Sequence, residues 1–157
     1  MSIKILFVCH GNICRSPMAE AVFMDMVRQK GLQGKVVADS AAVSPEELGN
    51  PIYPPVQRLL RENRIPFDRS HAAKVMTKKD YDRYDLLIGM DAGNLRRMET
   101  ICGGDSMGKL HRLLEYTGSC RDVADPYYYG NYDATWRDVN EGCRALLAQL
   151  EENGLLR

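Results

Sequence analysis

The chain has 157 residues, 45% hydrophobic and 27% charged, which is the size and mix of one globular domain with apolar residues enough for a core. We therefore read residues 1–157 as a single domain. Lys and Arg (21) balance Asp and Glu (21), so the net charge is zero and no general affinity for nucleic acid or an anionic membrane is expected.

Ile3 to Cys9 is short, apolar and rich in Ile and Val, the pattern of a buried strand. Ser16-Pro17 then signals a helix start, with Ser16 as cap, Pro17 in the first turn and Glu20 in that turn. Ala19, Val22, Phe23, Met26 and Val27 follow at helical spacing, and Gly31 ends the run. Lys35 to Ala41 reads as a second strand, and Ser44 to Pro55 is rich in turn formers. Val56 to Asn63 continues as a helix with Val56, Leu59 and Leu60 on one face. Thr77 to Arg83 predicts one or two helical turns, and Asp85 to Met90 a third buried strand. Asp91 to Ile101 is a further helix with Leu95, Met98 and Ile101 inward, and Leu110 to Leu114 a fourth strand. Asp122 to Tyr132 reads as a loop, and Ala134 to Asn153 as a long last helix.

Strands alternating with helices predict an α/β fold, a parallel sheet with helices on both faces. Such folds bind ligands beyond the carboxyl ends of the strands, at a switch point. No run is long enough to span a membrane, and Ile3–Val8 is too short for a signal-peptide core. Five cysteines (Cys9, Cys14, Cys102, Cys120, Cys143) are an odd count unlike a secreted disulfide framework. These features predict a cytoplasmic protein with reduced thiols, and a monomer is the default.

The stretch FVCHGNICRSP, Phe7 to Pro17, falls where the first strand ends and the first helix begins. It can be a plain turn, with a buried Cys and a capping Ser. It can be a metal site through Cys9, His10 and Cys14, but a structural zinc site needs four ligands and no second cluster follows. It can also be an anion cradle. A loop between a strand and a helix N-terminus can turn successive backbone N–H groups inward. Gly11 and Asn12 tolerate the left-handed angles this needs, and Arg15 can grip two phosphate oxygens. Cys9, six residues before Arg15 in the spacing C-x5-R, would sit at the base, where these dipoles stabilise a thiolate. A thiolate there can attack a phosphate monoester in line. Ser16 can donate to it, and the loop N–H groups with Arg15 would stabilise the equatorial oxygens. Strand, Gly-Asn, Arg, Ser-Pro and helix together favour the cradle.

Cleaving a phosphate ester leaves an oxyanion that needs a proton, so a general acid is expected. Asp125, before Pro126 in ADPYYYG (Ala124–Gly130), is the candidate, with tyrosines beside it able to wall an aromatic substrate.

The motifs C-H-G-N-I-C-R-S (Cys9–Ser16) and D-P-Y-Y-Y-G (Asp125–Gly130) closely resemble those of the low-molecular-weight protein tyrosine phosphatases. The likeness runs along essentially the whole chain, including Asp39-Ser40-Ala41 by the second strand and Gly89-Met90-Asp91. It implies a four-stranded parallel sheet with flanking helices and hydrolysis of phosphotyrosine. Cys9 would be the nucleophile, Arg15 the phosphate clamp, and Asp125 the acid and then the base. It implies a cysteinyl-phosphate intermediate with neither metal nor cofactor. The partners implied are phosphotyrosyl proteins or peptides, with inorganic phosphate as product and inhibitor. His10, Gly11, Asn12, Ile13, Cys14 and Ser16 would form the phosphate-binding loop. Asn12, Ser16, Ser44 and His71 match positions that hold that loop in shape, and Tyr127 and Tyr128 match tyrosines beside the pocket. Cys14 matches a second loop cysteine able to trap oxidised Cys9 as a disulfide.

Some positions depart from the family pattern. His10 stands where an apolar residue is common, and Ala42-Val43 replaces Gly-Thr. Pro45-Glu46-Glu47 replaces a stretch that often carries an aromatic residue, so Glu46 would make one pocket wall acidic and disfavour acidic peptides. Two sister activities use similar scaffolds. Thioredoxin-coupled arsenate reductases need a later cysteine pair, and no cysteine closely follows Met90-Asp91 here. Arginine phosphatases tend to carry Thr where this chain has Ile13, and an apolar Ile13 suits an aromatic ring better.

Overall fold

The structure, a computed structural model, describes residues 2–126 and 132–156. Strands β1 (Ile3–Cys9), β2 (Val36–Ala42), β3 (Leu86–Gly89) and β4 (Leu110–Arg112) form one four-stranded sheet in the order β2-β1-β3-β4. Every pairing is parallel. The helices are α1 (Arg15–Gln29), α2 (Pro54–Glu62), α3 (Lys78–Arg83), α4 (Ala92–Cys102) and α5 (Tyr132–Glu152), with 3₁₀ turns at Pro45–Glu47 and Leu113–Thr117. This is the α/β architecture expected from the sequence.

Because successive strand residues face opposite sides, β1 feeds two cores. Ile5, Phe7 and Cys9 join Ile88 beneath α1, α2 and α5, where Phe23, Leu60 and Leu146 are fully buried. Leu6 and Val8 join Leu87 on the other face, against Tyr81 of α3 and Met98 and Cys102 of α4. The unbroken apolar run Ile5–Cys9 of β1 is thus the signature of a strand covered twice. The chain leaves β1 toward β2 and one layer, whereas β3 lies on the other side of β1 and leads into α4 on the opposite layer. The switch point therefore lies at the carboxyl ends of β1 and β3, just beyond Cys9 and Gly89.

Three local expectations are corrected. Helix α1 starts at Arg15 with Cys14 as its cap and no side-chain capping bond, so Ser16 is a helical residue and Glu20 lies past the first turn. The Ser16 hydroxyl is engaged by Cys9 and Asn12 in the loop beneath it. Strand β4 stops at Arg112, because Leu113 and Leu114 bury themselves by turning under α5 rather than by extending the sheet. On α4 the buried positions are Asn94, Met98 and Cys102, while Leu95 and Ile101 are only partly covered. Asp91 caps α4, its Oδ1 accepting from Asn94 N at 2.6 Å. No helix among the described residues is long and apolar enough to cross a membrane.

Candidate active site

The segment from Cys9 to Arg15 wraps at the end of β1, and its carbonyls are tied outward. Cys9 O accepts from Val43 N (3.0 Å), His10 O from Ser44 N (3.1 Å), Ile13 O from Tyr53 N (2.9 Å) and Cys14 O from Met18 N (3.1 Å). Asn12 O accepts from His71 Nε2 at 2.8 Å, which fixes the proton of that ring on Nε2. With every peptide of this loop trans, the N–H of each peptide unit points opposite its carbonyl. The N–H groups of His10, Gly11, Ile13, Cys14 and Arg15 therefore face the inside of the loop. Asn12 takes a left-handed backbone (φ 62°) that brings its N–H to 3.3 Å from Cys9 Sγ. At Gly11 a Cβ would stand 3.1 Å from Glu47 Cγ, so the close approach of the Glu47 stem leaves little room for a side chain.

Cys9 is buried at the base. Ser16 Oγ lies 3.1 Å from its sulfur, and the direction of that bond follows from its neighbours. Asn12 Oδ1 is occupied by Lys74 N at 3.2 Å, so Asn12 Nδ2 is the group that donates to Ser16 Oγ at 2.8 Å. Ser16 keeps its own hydrogen, and the Ala41 carbonyl is more distant at 3.5 Å, so the hydroxyl donates to Cys9. Ser44 supports the loop through its backbone N–H, while its Oγ accepts from Glu46 N at 3.3 Å.

Arg15 is 3% exposed. Its Nη1 donates to Asp91 Oδ2 (2.9 Å) and to Val123 O (3.3 Å), and its Nη2 to Asp125 Oδ2 (3.3 Å). Burial acts against the guanidinium charge, but Cys9, Asp125 and Asp91 outweigh it and hold the side chain protonated. At Cys14, burial first, then the charges of Cys9 and Asp125, push the thiol up from 9.0 to about 12, so it keeps its proton.

A cleft of about 1010 Å³ opens over this loop, lined by Cys9, His10, Gly11, Ile13, Cys14, Arg15 and Asp125. Asn12, Ser16, Ser44 and His71 stand behind it as supports. Tyr127 and Tyr128 lie outside the described residues. Three walls rise around the cleft. Glu46 and Glu47 form an acidic side, where His10 Nε2 meets Glu46 Oε2 at 3.0 Å, so His10 is a rim residue with a carboxylate partner. The other two walls carried no signal in the sequence. Tyr53 and Tyr132 stack on one side of the cleft, ring centroids 6.5 Å apart at 25°. Arg96 and Arg97 of α4 form a basic side. Asp91, in the sequence only part of a family motif, holds Arg15 together with Asp125 and the Val123 carbonyl. Its place just after β3, as the cysteine loop follows β1, was the one hint that it belongs to the site. Among the described residues no group of three or more His, Cys, Asp or Glu side chains is placed to hold a metal ion.

A profile of the low molecular weight phosphotyrosine protein phosphatases matches residues 4–155. The chain belongs to this family. The low molecular weight protein-tyrosine-phosphatase YfkJ of Bacillus subtilis is 42% identical over 152 residues, 96% of this chain and 97% of its own. The crystal structure of YfkJ superposes with a TM-score of 0.92 at 41% identity, covering 98% of this chain and 97% of the other. The human low molecular weight phosphotyrosine protein phosphatase is 35% identical over 149 residues, 92% of this chain and 93% of its own. The YwlE arginine phosphatase, solved as a mutant with a phosphorylated active site serine, shares the fold as well. It superposes with a TM-score of 0.81 at 31% identity, covering 95% of this chain and 96% of the other.

Proposed function

We infer that the protein hydrolyses phosphotyrosine monoesters with Cys9 as nucleophile, Arg15 as phosphate clamp and Asp125 as general acid and base. The observation that carries this reading is the convergence of Cys9, Arg15 and Asp125 on one cleft whose floor is a ring of inward N–H groups. The phosphate dianion sits in that ring, its oxygens taking the loop N–H groups and the guanidinium of Arg15. The Cys9 thiolate attacks phosphorus in line; the P–O ester bond breaks, and the departing oxygen takes a proton from Asp125. The Asp125 carboxylate then takes a proton from water as that water attacks phosphorus. The S–P bond breaks, inorganic phosphate leaves and the thiolate returns. Because phosphate fits the same ring, the product competes with substrate.

Arginine phosphatases share this scaffold, so the cradle alone does not select the substrate. Apolar Ile13 and the stacked Tyr53 and Tyr132 favour a flat aryl group at the mouth. We place the activity in the cytoplasm, in keeping with a catalytic thiolate and five free cysteines. The test is a side-by-side assay on a phosphotyrosine peptide, a phosphoarginine peptide and arsenate with thioredoxin. The phosphotyrosine peptide is expected to turn over fastest, Cys9→Ser to abolish turnover, and Asp125→Ala to hurt most with poor leaving groups. Substantial activity in Cys9→Ser overturns the mechanism, and faster phosphoarginine turnover overturns the substrate.

A further inference from the structure

The charged groups around the cleft mouth are sorted by position. On the loop after β2, Glu46 pairs with His10 at 3.0 Å and Glu47 accepts from Asn50 Nδ2 at 2.7 Å. Deeper in, Asp91 and Asp125 both hold Arg15. On α4, Arg96 and Arg97 both line the cleft, and Arg97 is held by a backbone carbonyl: its Nη2 donates to Val43 O at 3.2 Å. Val43 is itself bonded through its N–H to Cys9 O, so this guanidinium is anchored to the segment that shapes the phosphate loop. Arg96 folds back over Gly93, its Nη2 3.8 Å from where a Cβ on that glycine would stand. Arg97 is therefore held beside the cradle, and Arg96 stands next to it on the same helix.

Building on the phosphotyrosine reading, we propose that Arg96 and Arg97 form a second subsite that takes the carboxylate of an acidic residue flanking phosphotyrosine, while Glu46 and Glu47, on the loop after β2, reject acid and accept a basic residue where the peptide passes that loop. The cleft is lined by four carboxylates (Glu46, Glu47, Asp91, Asp125) and three arginines (Arg15, Arg96, Arg97). A general attraction for acidic peptides is therefore not expected, and the preference is positional. An anion reaching α4 meets two guanidinium groups with donors to spare. The same anion reaching the β2 loop meets two carboxylates. Glu46 alone, the side visible in the sequence, predicts that acidic peptides are disfavoured; the α4 wall reverses that where a carboxylate reaches Arg96 and Arg97.

The experiment is kcat/KM on phosphotyrosine peptides carrying a single Glu, Ala or Lys scanned across the positions on either side of the phosphotyrosine. In the unaltered protein at low ionic strength, Glu over Ala is expected to favour turnover by roughly threefold at some positions and to oppose it at others, the scale that exposed ion pairs allow. The favourable ratios should shrink with added salt. Arg96→Gln with Arg97→Gln should bring the favourable ratios to unity and leave the unfavourable ones in place; Glu46→Gln with Glu47→Gln should do the reverse. A flat Glu/Ala profile in the unaltered protein, or favourable ratios that survive loss of both arginines, overturns the proposal. The Ala peptide separates the two readings: no turnover of it means that the phosphotyrosine assignment fails, and with it this one, whereas turnover with a flat profile removes the subsite alone.

Discussion

Replacing Ser16 by Ala tests the direction of its hydrogen bond to Cys9, and it should act on one step of the reaction. The hydroxyl is fully buried and donates to Cys9 Sγ at 3.1 Å because Asn12 Nδ2 already donates to its oxygen at 2.8 Å. A hydrogen bond to a charged group contributes about 1.5–3 kcal/mol. At about 1.36 kcal/mol for each factor of ten in rate, the loss amounts to roughly 10- to 150-fold at any step that must leave the sulfur as a thiolate. In the first step the thiolate spends its charge on phosphorus. In the second, hydrolysis of the cysteinyl phosphate, the thiolate is the leaving group and needs the donor. Stopped-flow measurement with an aryl phosphate should therefore show a burst of phenol in Ser16→Ala, followed by slow steady-state turnover. Asn12→Asp should follow the same pattern. It keeps an acceptor for Lys74 N but offers Ser16 a carboxylate oxygen, and the hydroxyl hydrogen turns toward that oxygen and away from sulfur. An unchanged steady-state rate in Ser16→Ala, or a variant with no burst, refutes the assigned direction.

Tyr53→Ala, which removes half of the stacked wall, should raise KM for aryl phosphates by roughly threefold to tenfold, the scale of one aromatic contact, and leave alkyl phosphates unaffected; equal effects on both substrates count against the wall. Gly142→Ala should lower stability by about 1–3 kcal/mol although alanine is the better helix former, because its Cβ would stand 2.5 Å from Cγ of the fully buried Leu113. Thermal denaturation checks this, and a rise in Tm contradicts the close packing of α5 on the turn after β4. Burial pushes the Glu20 carboxyl up from 4.5 to about 7, partly offset by Ser40 and reinforced by the charge of Asp39. A folded-state value above the unfolded one gives stability that is fully present below about 4.5 and is lost as pH rises through about 7. Glu20→Gln should accordingly flatten the fall in stability between about pH 5 and pH 8, by about 1–3 kcal/mol in denaturant titrations, and an unchanged slope refutes the assignment.

The cysteine loop was legible because its working parts are contiguous. Strand, left-handed Asn12, Arg15 and helix follow one another in a single run, so local rules identify the cradle before any tertiary contact is known. The place of Asp125 at the cleft was legible for a different reason: the proposed chemistry calls for an acid, and a stiffened Asp-Pro loop was the best supply. The start of α1 was misread because Ser16 has the residue type of a cap. Its hydroxyl is engaged by Asn12 and Cys9 instead, and local pattern cannot register a bond to a buried loop. Leu113 and Leu114 are as apolar in a 3₁₀ turn under α5 as in a strand, so hydrophobicity alone extended β4 too far. Tyr53, Arg96 and Tyr132 carried no local mark at all, because they enter the cleft from segments far apart in the chain.

His10 shows why the rim in particular could not be read. Its partner Glu46 is 36 residues away, and only the sheet register brings the two together. Strand β2 pairs with β1 up to Cys9 opposite Ala42. Beyond the strand ends two successive backbone bonds, Val43 N on Cys9 O and Ser44 N on His10 O, leave the sheet pattern but keep the chain after β2 beside the loop that follows β1. Pro45 and the 3₁₀ turn at Pro45–Glu47 end this run and turn Glu46 and Glu47 over the loop they have just been tied to. The same two backbone bonds thus do two things. They turn the carbonyls of Cys9 and His10 away from the cradle, leaving its N–H groups facing inward, and they deliver the acidic wall to its mouth. The proposed substrate charge preference and the proposed phosphate binding therefore share one structural cause. A change that breaks the Val43 or Ser44 backbone bond should disturb both together, whereas a side-chain change at Glu46 should disturb only the first.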